Sequence, residues 1–389
     1  MTTFGIDAMS FFTSNAYLDL ATMAKVRNTD VNKYYVGIGQ RLMGVPSVDE
    51  DIVTMAANAA DKIINDQNRS QIKTIIFATE SGVDQSKAAA VYLQTLLQLP
   101  NNCRAIELKQ ACYASTAGLH MGLGLLHRHP EQKVLLVASD IARYGLNTPA
   151  EPTQGCGAVA MVLSANPHLL SLENDTGCYT QDVMDFWRPN YSEEAFVEGK
   201  FSSKMYLALL EHTWRDYHEK SKQQFEDHAH FCFHTPVSRL AEKGYALLAR
   251  LNNNTLSDAE CHDKMQDVLR YGRQIGNSYT ASLFISFMSL LDHAKEDLAG
   301  KRIGFYGYGS GCVAELYSGV LMKDYKKQLH TEQHQALINN RNNLSYEQYE
   351  TRYNYKLPTN GGKIVLPKQQ TGKFRLAGIA NHKRQYELA

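Results

Sequence analysis

The sequence contains no CxxC pair. Its seven cysteines, Cys103, Cys112, Cys156, Cys178, Cys232, Cys261 and Cys312, are odd in number and scattered along 389 residues. That pattern supports neither a zinc site nor a disulfide framework. It suits reduced thiols, so a cytoplasmic location is expected. Neither sign of charge is in excess: Lys+Arg and Asp+Glu both number 40. A balanced chain lacks the basic bias that nucleic acid or an anionic membrane surface selects, and neither partner is expected. No apolar run is long enough to span a bilayer. The opening MTTFGIDAMSFF lacks the basic n-region and long apolar core of a leader. What is present is a hydrophobic fraction of 44% against 21% charged, which permits a substantial core. The length suggests two domains or two fused halves.

Strand and helix patterns alternate. Residues 4–6, 72–79, 133–138, 155–164, 231–233, 302–308 and 374–379 read as strands, several of them short unbroken apolar runs of the buried kind. Between them, residues 19–25, 48–65, 86–97, 201–222, 237–251 and 279–293 read as helices. Ser47 opens the second of these, with Asp49 and Glu50 expected in its first turn. Residues 175–200 read as loop, 252–254 as a polar loop, and the Tyr-rich 323–358 as helical and peripheral. The alternation argues for an α/β fold. Strands ending near Glu80, Cys112, His234, Asn277 and Ser310 give the chain a common rhythm. It suits two similar halves, 1–165 and 166–389, with ligands gathering at strand carboxyl ends.

The stretch from 107 to 129, ELKQACYASTAGLHMGLGLLHRH, stands out. A short β-like lead-in, Ala105 to Leu108, precedes Cys112. From Ala114 onward the pattern is a helix apolar almost all round, and so buried. Its small residues, Ala114, Ala117, Gly118, Gly122 and Gly124, point to close backbone contact, since interior glycines otherwise cost up to about 1 kcal/mol each. A helix N-terminus near Cys112 favours a thiolate. A free cysteine is also commonly a small buried hydrophobe, and the local pattern leaves both readings open. By themselves Glu80 reads first as a helix N-terminal acid and His234 as a structural histidine, and Asn277 can be read as only a helix cap. Ser310 fits a turn, and Arg239 with Lys243 fits a solvated helix face.

Ten segments taken in order change the balance: GIGQ (37–40), FATESGVDQSK (77–87), LKQACYASTAGL (108–119), ASDIARYG (138–145), EPTQG (151–155), DFWRP (185–189), CFHTP (232–236), GNSYTASL (276–283), YGSG (308–311) and GIANHKRQYE (378–387). With them the chain resembles the bacterial-type 3-hydroxy-3-methylglutaryl-coenzyme A synthases of the thiolase-like superfamily, over nearly its whole length. The resemblance implies a layered α/β fold of two duplicated halves, with mixed sheets sandwiching buried helices and the site between the halves. It implies a homodimer. It also implies a Claisen-type condensation of acetyl-CoA with acetoacetyl-CoA in the mevalonate route to isoprenoids. Both CoA thioesters are substrates, and no cofactor or metal is implied.

In that pattern Cys112 carries the acetyl group, Glu80 is the general base and acid, and His234 orients the C3 ketone. The backbone N–H groups at Cys112 and Ser310 match the oxyanion hole. Asn277 faces the acetoacetyl group, and Lys243, beside Arg239, matches a coenzyme A contact. Thr153, Ser202 and Asp30 fall on substrate-contact positions. Cys156 and Cys312 depart from the family's usual small apolar residues and read as packing substitutions, although biosynthetic thiolases use a second cysteine near the C-terminus. The loop Asn147-Thr148-Pro149 is less glycine-rich than the family's. A ketoacyl synthase would share Cys112, His234 and Asn277 but would not need Glu80. A catalytically silent scaffold of the same fold would need none of Cys112, Glu80 and His234.

Overall fold

The strand Phe4–Thr13 is the hub of a ten-stranded mixed sheet. The computed structural model describes residues 2–389. On one side of the hub lie Cys156–Ala165, Lys133–Ile141, Ile72–Ala78 and Arg104–Leu108, in that order. On the other lie Leu170–Leu172, Val313–Leu321, Arg302–Gly309 and His228–Phe233, with Gly177–Thr180 also paired to Val313–Leu321. The two sides mirror each other in direction. An antiparallel hairpin (Lys133–Ile141 with Cys156–Ala165; Arg302–Gly309 with Val313–Leu321) is followed outward by a parallel neighbour (Ile72–Ala78; His228–Phe233). Glu80 and His234 therefore follow corresponding strands. Parallel neighbours need a covering layer on both faces, which is why Ile72–Ala78 is a nearly continuous apolar run. Ile75, Ile76 and Phe77 are fully buried there, each contributing about 1.5–3 kcal/mol of burial.

Two helices carry the chain back across this sheet at the site. Ala114–Arg128 follows Cys112, and Ser282–His293 follows Asn277 after a short 3₁₀ turn, Tyr279–Ala281. In the first helix a Cβ at Gly118 would lie 2.7 Å from Leu136 Cδ1, and one at Gly122 2.6 Å from Leu163 Cδ1. Close contact with the sheet therefore demands glycine at both positions. Burial on all sides does not hold: Met121 is exposed and Gly124 faces open space. In Ser282–His293, by contrast, the run from Ser282 to Leu291 is buried throughout.

Several local expectations are corrected. The helix expected over 48–65 is Ile52–Ala60, because Asp51 caps it with its carboxylate on the Val53 and Thr54 N–H groups. Asp49 and Glu50 lie outside that helix and are buried. Asp49 accepts from the Gln369 and Gln370 N–H groups and pairs with Arg375, and Glu50 binds Ser47. The stretch 33–38 is a wide helical turn before the strand Leu42–Gly44. No strand ends at Asn277. The short helix Gly272–Ile275 precedes it, so the second side of the sheet lacks a counterpart of Arg104–Leu108. The supposed loop 175–200 contains Gly177–Thr180 and the small hairpin Phe186–Trp187/Phe196–Val197. The last strand, Phe374–Ala380, has a hairpin partner, Lys383–Leu388.

Candidate active site

Strand Arg104–Leu108 delivers the chain to Gln110, and Ala111 then turns it with a φ of +44°. Left-handed backbone at a non-glycine costs about 1–3 kcal/mol and is tolerated mainly where geometry matters. The turn puts Cys112 beside the end of Ile72–Ala78, where its thiol donates to Glu80 Oε1 at 2.9 Å. Gly309 comes so close to this turn that a Cβ there would sit 2.6 Å from the Gln110 carbonyl oxygen. Ser310, next in line, accepts from Gln110 Nε2 at 3.3 Å.

Behind the pair lies Asp140, fully buried. Its Oδ1 accepts from Thr79 Oγ1 (2.7 Å) and the Glu80 N–H (2.9 Å), and its Oδ2 from the Thr280 N–H (3.0 Å) and Oγ1 (2.5 Å). One carboxylate thus ties the strand end that carries Glu80 to the entrance of helix Ser282–His293. Arg188, from the 185–189 segment, donates to the Glu80 carbonyl.

These surroundings set the proton affinities. Glu80 and Cys112 keep some surface at the mouth of the site, yet protein encloses them enough for dehydration to dominate. Burial, then the charge of Asp140, pushes Glu80 up to about 8, with the Cys112 hydrogen bond and Arg188 partly opposing. Burial, then the Glu80 charge, holds the Cys112 thiol well above its ordinary range. The expected lowering of the thiol pKa by the helix N-terminus is therefore overridden in the unliganded site. Desolvation and a neighbouring carboxylate act on the same atom that the dipole reaches only from a distance.

His234 is buried at the end of its strand. Its N–H donates to the Tyr306 carbonyl at 2.8 Å, and its carbonyl accepts from Tyr206 Oη at 2.8 Å. Its Nδ1 lies 2.7 Å from Ser282 Oγ, which also accepts the Thr235 N–H at 3.1 Å. A hydroxyl already accepting from a backbone donor spends its own hydrogen best on Nδ1, which leaves the ring proton on Nε2. Burial lowers the His234 pKa to about 3, so the ring is a neutral donor at working pH. Asn277 is buried too. Its Nδ2 donates to Tyr144 Oη at 2.9 Å and its Oδ1 accepts the Tyr279 N–H at 2.9 Å. Tyr144, Phe186 and Tyr279 meet edge-on and form an aromatic wall.

The other predicted positions are more dispersed. Thr153 donates to the Ala150 carbonyl, and its own carbonyl accepts the Asn277 N–H at 3.1 Å. Ser202 donates to Asp185 Oδ2 at 3.0 Å, and that same carboxylate accepts from Tyr308 Oη and the Gly311 N–H. Asp30 is exposed and caps a turn through the Asn32 N–H. Arg239 is held by Glu242 and Asp258. Lys243 is exposed, has no ion pair among the described residues, and lines a surface cleft with Leu207, Leu247 and Arg250. Cys156 and Cys312 are buried free thiols. Among the described residues no group of three or more His, Cys, Asp or Glu is arranged to hold a metal ion.

Comparison with known proteins bears on this geometry. Residues 2–168 match the N-terminal profile of hydroxymethylglutaryl-coenzyme A synthase, and residues 171–260 and 251–373 match its C-terminal profile. The chain belongs to the hydroxymethylglutaryl-coenzyme A synthase family. It is an acyl-condensing enzyme of that family, with a thiolase-like fold. It is 39% identical to the hydroxymethylglutaryl-CoA synthase of Enterococcus faecalis over 385 residues, covering 99% of each chain. A crystal structure of an HMG-CoA synthase complexed with CoA superposes with a TM-score of 0.94 at 37% identity, covering 100% of both chains. A second structure, in complex with 3-hydroxy-3-methylglutaryl coenzyme A, gives 0.91 at 33%, covering 100% of this chain and 99% of that one.

Sequence reasoning did not single out Asp140, Tyr144, Asp185, Arg188 or Ser282, although each lies inside a quoted family segment. The available signal was a polar residue next to an apolar strand or helix. Its partners were invisible because they are 60 to 140 residues away: Asp140 to Glu80, and Asp140 to Thr280.

Proposed function

We propose that this synthase condenses acetyl-CoA with acetoacetyl-CoA to 3-hydroxy-3-methylglutaryl-CoA through an acetyl-Cys112 thioester. The contact that carries the reading is the 2.9 Å hydrogen bond from the Cys112 thiol to a carboxylate of raised proton affinity. Cys112 sulfur attacks the acetyl-CoA carbonyl, the C–S bond to coenzyme A breaks, and the proton lost from the Cys112 thiol ends on the departing sulfur, so coenzyme A leaves as its thiol. Backbone N–H groups at Cys112 and Ser310 serve the thioester oxygen. Glu80 then removes a proton from the acetyl methyl, and the carbanion adds to the C3 ketone of acetoacetyl-CoA. His234 Nε2–H donates to that oxygen as it becomes an alkoxide, and protonated Glu80 supplies the proton that makes it a hydroxyl. Water cleaves the enzyme thioester to the free carboxylate and regenerates Cys112. Asn277, steadied by Tyr144, faces the acetoacetyl group. Lys243, free of a partner carboxylate, suits a coenzyme A anion, with Thr153, Ser202, Asp30 and Arg239 around the path.

The test mixes enzyme with acetyl-CoA alone and then with both thioesters. One acetyl group on Cys112 by mass spectrometry, and 3-hydroxy-3-methylglutaryl-CoA by chromatography, are expected. Malonyl-CoA acting as the better donor would replace this reading with the ketoacyl synthase one.

Two further predictions arise from the electrostatics. The methyl proton goes only to ionised Glu80, so single-turnover condensation from preformed acetyl-enzyme rises about tenfold per pH unit up to the Glu80 pKa, which is about 8 in the free enzyme and is no longer held down by the Cys112 hydrogen bond once the thiol is acetylated. His234, with a pKa near 3, adds no second inflection between pH 5 and 9. A profile flat from pH 6 to 8 removes Glu80 as the base.

His234→Ala is expected to lower condensation by roughly 100-fold or more while changing acetylation far less, the usual cost of one oxyanion donor. Ser282→Ala frees Nδ1 to take the proton, so it should show a milder version of the same split, rescued by Ser282→Thr. Equal losses in both half-reactions would assign His234 to Cys112 activation.

The reading also includes a homodimer in the cytoplasm and two duplicated halves, 1–165 and 166–389. The unpaired outer edge of Arg104–Leu108, with Ile106 at 42% exposure, supports addition of a second copy. The mirrored strand order supports the halves. No described helix is long and apolar enough to cross a membrane.

A further inference from the structure

The hairpin Phe186–Trp187/Phe196–Val197 borders the site, and its side chains alternate in direction as a strand requires. Phe186 turns inward and meets Tyr144 and Tyr279 edge-on. Trp187 turns the other way and stacks on Phe196, ring centroids 5.7 Å apart. Arg188 therefore returns to the inward side, and Pro189 after it disfavours helical backbone there, which keeps the chain extended. Asp185 fixes the base of the hairpin. Its carboxylate accepts from Ser202, Tyr308 and the Gly311 N–H, and its carbonyl accepts the Glu198 N–H at 3.0 Å.

Arg188 is half-buried, makes no ion pair among the described residues, and donates a guanidinium N–H to the Glu80 carbonyl. Among the described residues it is also the one cation whose charge acts on the Glu80 carboxylate. The other groups facing that carboxylate are of different kinds. Asp140, on strand Lys133–Ile141, adds a second negative charge, and Cys112 donates its thiol hydrogen. Tyr144 and Tyr279 are buried phenols, whose raised proton affinities keep them neutral. Two influences thus oppose burial and Asp140: the Cys112 hydrogen bond and the Arg188 charge. They do not last equally. A thiol converted to a thioester has no hydrogen to donate, so acetylation of Cys112 cancels the first. The methyl proton is removed after that step, when the Arg188 charge alone remains to oppose them.

We propose that Arg188 is a positioning residue for the general base: its charge keeps the Glu80 carboxylate ionised in the acetyl-enzyme, and its N–H holds the strand end that carries Glu80. The assignment rests on Glu80 being the base. A base must carry its charge at the moment the C–H bond breaks, whereas dehydration and the Asp140 charge both favour the neutral carboxyl. A guanidinium stays protonated across the working range, so what it contributes does not vary with pH. No proton passes to or from Arg188. The hairpin that presents it is fixed at Asp185, so the placing of the cation depends on the same segment that supplies the Phe186 wall.

The test is the pH profile of single-turnover condensation from preformed acetyl-enzyme, read by quenched flow for the full-length wild type and for Arg188→Gln, Arg188→Met and Arg188→Lys. Glutamine keeps a donor for the Glu80 carbonyl but no charge, methionine keeps neither, and lysine keeps the charge. Both neutral variants should move the inflection upward by about one pH unit, which lowers the rate at pH 7 by about tenfold. Arg188→Gln should converge with the wild type on the alkaline plateau, and Arg188→Met should stay below it because the tether is lost as well. Arg188→Lys should return the inflection to its wild-type position. Acetylation of Cys112, followed by mass spectrometry, should change far less. Should one neutral variant fail to fold, the other reads the same inflection. An inflection unmoved in the neutral variants, one that lysine fails to restore, or a raised KM for acetoacetyl-CoA with an unmoved inflection would each overturn the proposal, the last by making Arg188 a substrate contact. A wild-type profile without an inflection would remove Glu80 as the base, and the proposal with it.

Discussion

Replacing Glu80 by alanine leaves acetylation of Cys112 largely intact and nearly stops condensation, so acetyl-enzyme accumulates. The first half follows from the electrostatics. After burial, the Glu80 charge is the largest influence raising the Cys112 pKa, so its removal makes the thiolate easier to form. The second half follows from the chemistry. A donor that starts as an acetyl methyl must lose a proton to a base, and a positioned base is worth roughly 100- to 10,000-fold. Glu80 fits that role because burial and Asp140 raise its proton affinity to about 8, near the working pH. Quenched-flow measurement of acetyl-enzyme beside steady-state product formation separates the two steps. Near wild-type condensation by Glu80→Ala, or a loss confined to acetylation, would remove Glu80 as the base. An enzyme that decarboxylates a malonyl donor would show the first of these results.

Cys112→Ala is expected to abolish acetyl transfer and turnover together while the fold persists. The cysteine sits in a turn at the mouth of the site rather than in the core, so the change in unfolding free energy should be on the order of 1 kcal/mol or less. Chemical denaturation reads this directly. Mass spectrometry after incubation with acetyl-CoA should find no covalent acetyl group. Cys312 and Cys156 are the other thiols to consider, and both are almost wholly buried, at 1% and 0% exposure. A thioester carbonyl cannot reach them without the core opening. Uptake of one acetyl group by Cys112→Ala would move the nucleophile elsewhere and sink the mechanism proposed above.

The sequence alone determined the parts of this protein that depend on neighbours in the chain. The run at 72–79 is a buried strand because consecutive apolar side chains need cover on both faces. The helix after Cys112 begins at Ala114 and packs through Gly118 and Gly122 because only glycine permits that approach. The ordered family segments carried the resemblance, and Glu80 and Cys112 emerge 2.9 Å apart. The start signals misled at 47–51, where Ser47 with Asp49 and Glu50 reads as a helix opening but Asp51 is the residue that caps the helix. Periodicity misled before Asn277, where a strand rhythm was extrapolated into a short helix. Proton affinity was the property least accessible from sequence. The helix N-terminus suggests an acidified Cys112, whereas the folded site raises its pKa, because desolvation and the Glu80 charge act at hydrogen-bonding distance. The tertiary structure alone decided that Asp140 underlies both Glu80 and Thr280, that Ser282 sets the His234 tautomer, and that Arg188 reaches the Glu80 carbonyl. Each of these depends on partners brought together from distant parts of the chain. Periodicity reports which face of an element is buried, whereas electrostatic energy depends on what the rest of the fold places against that face.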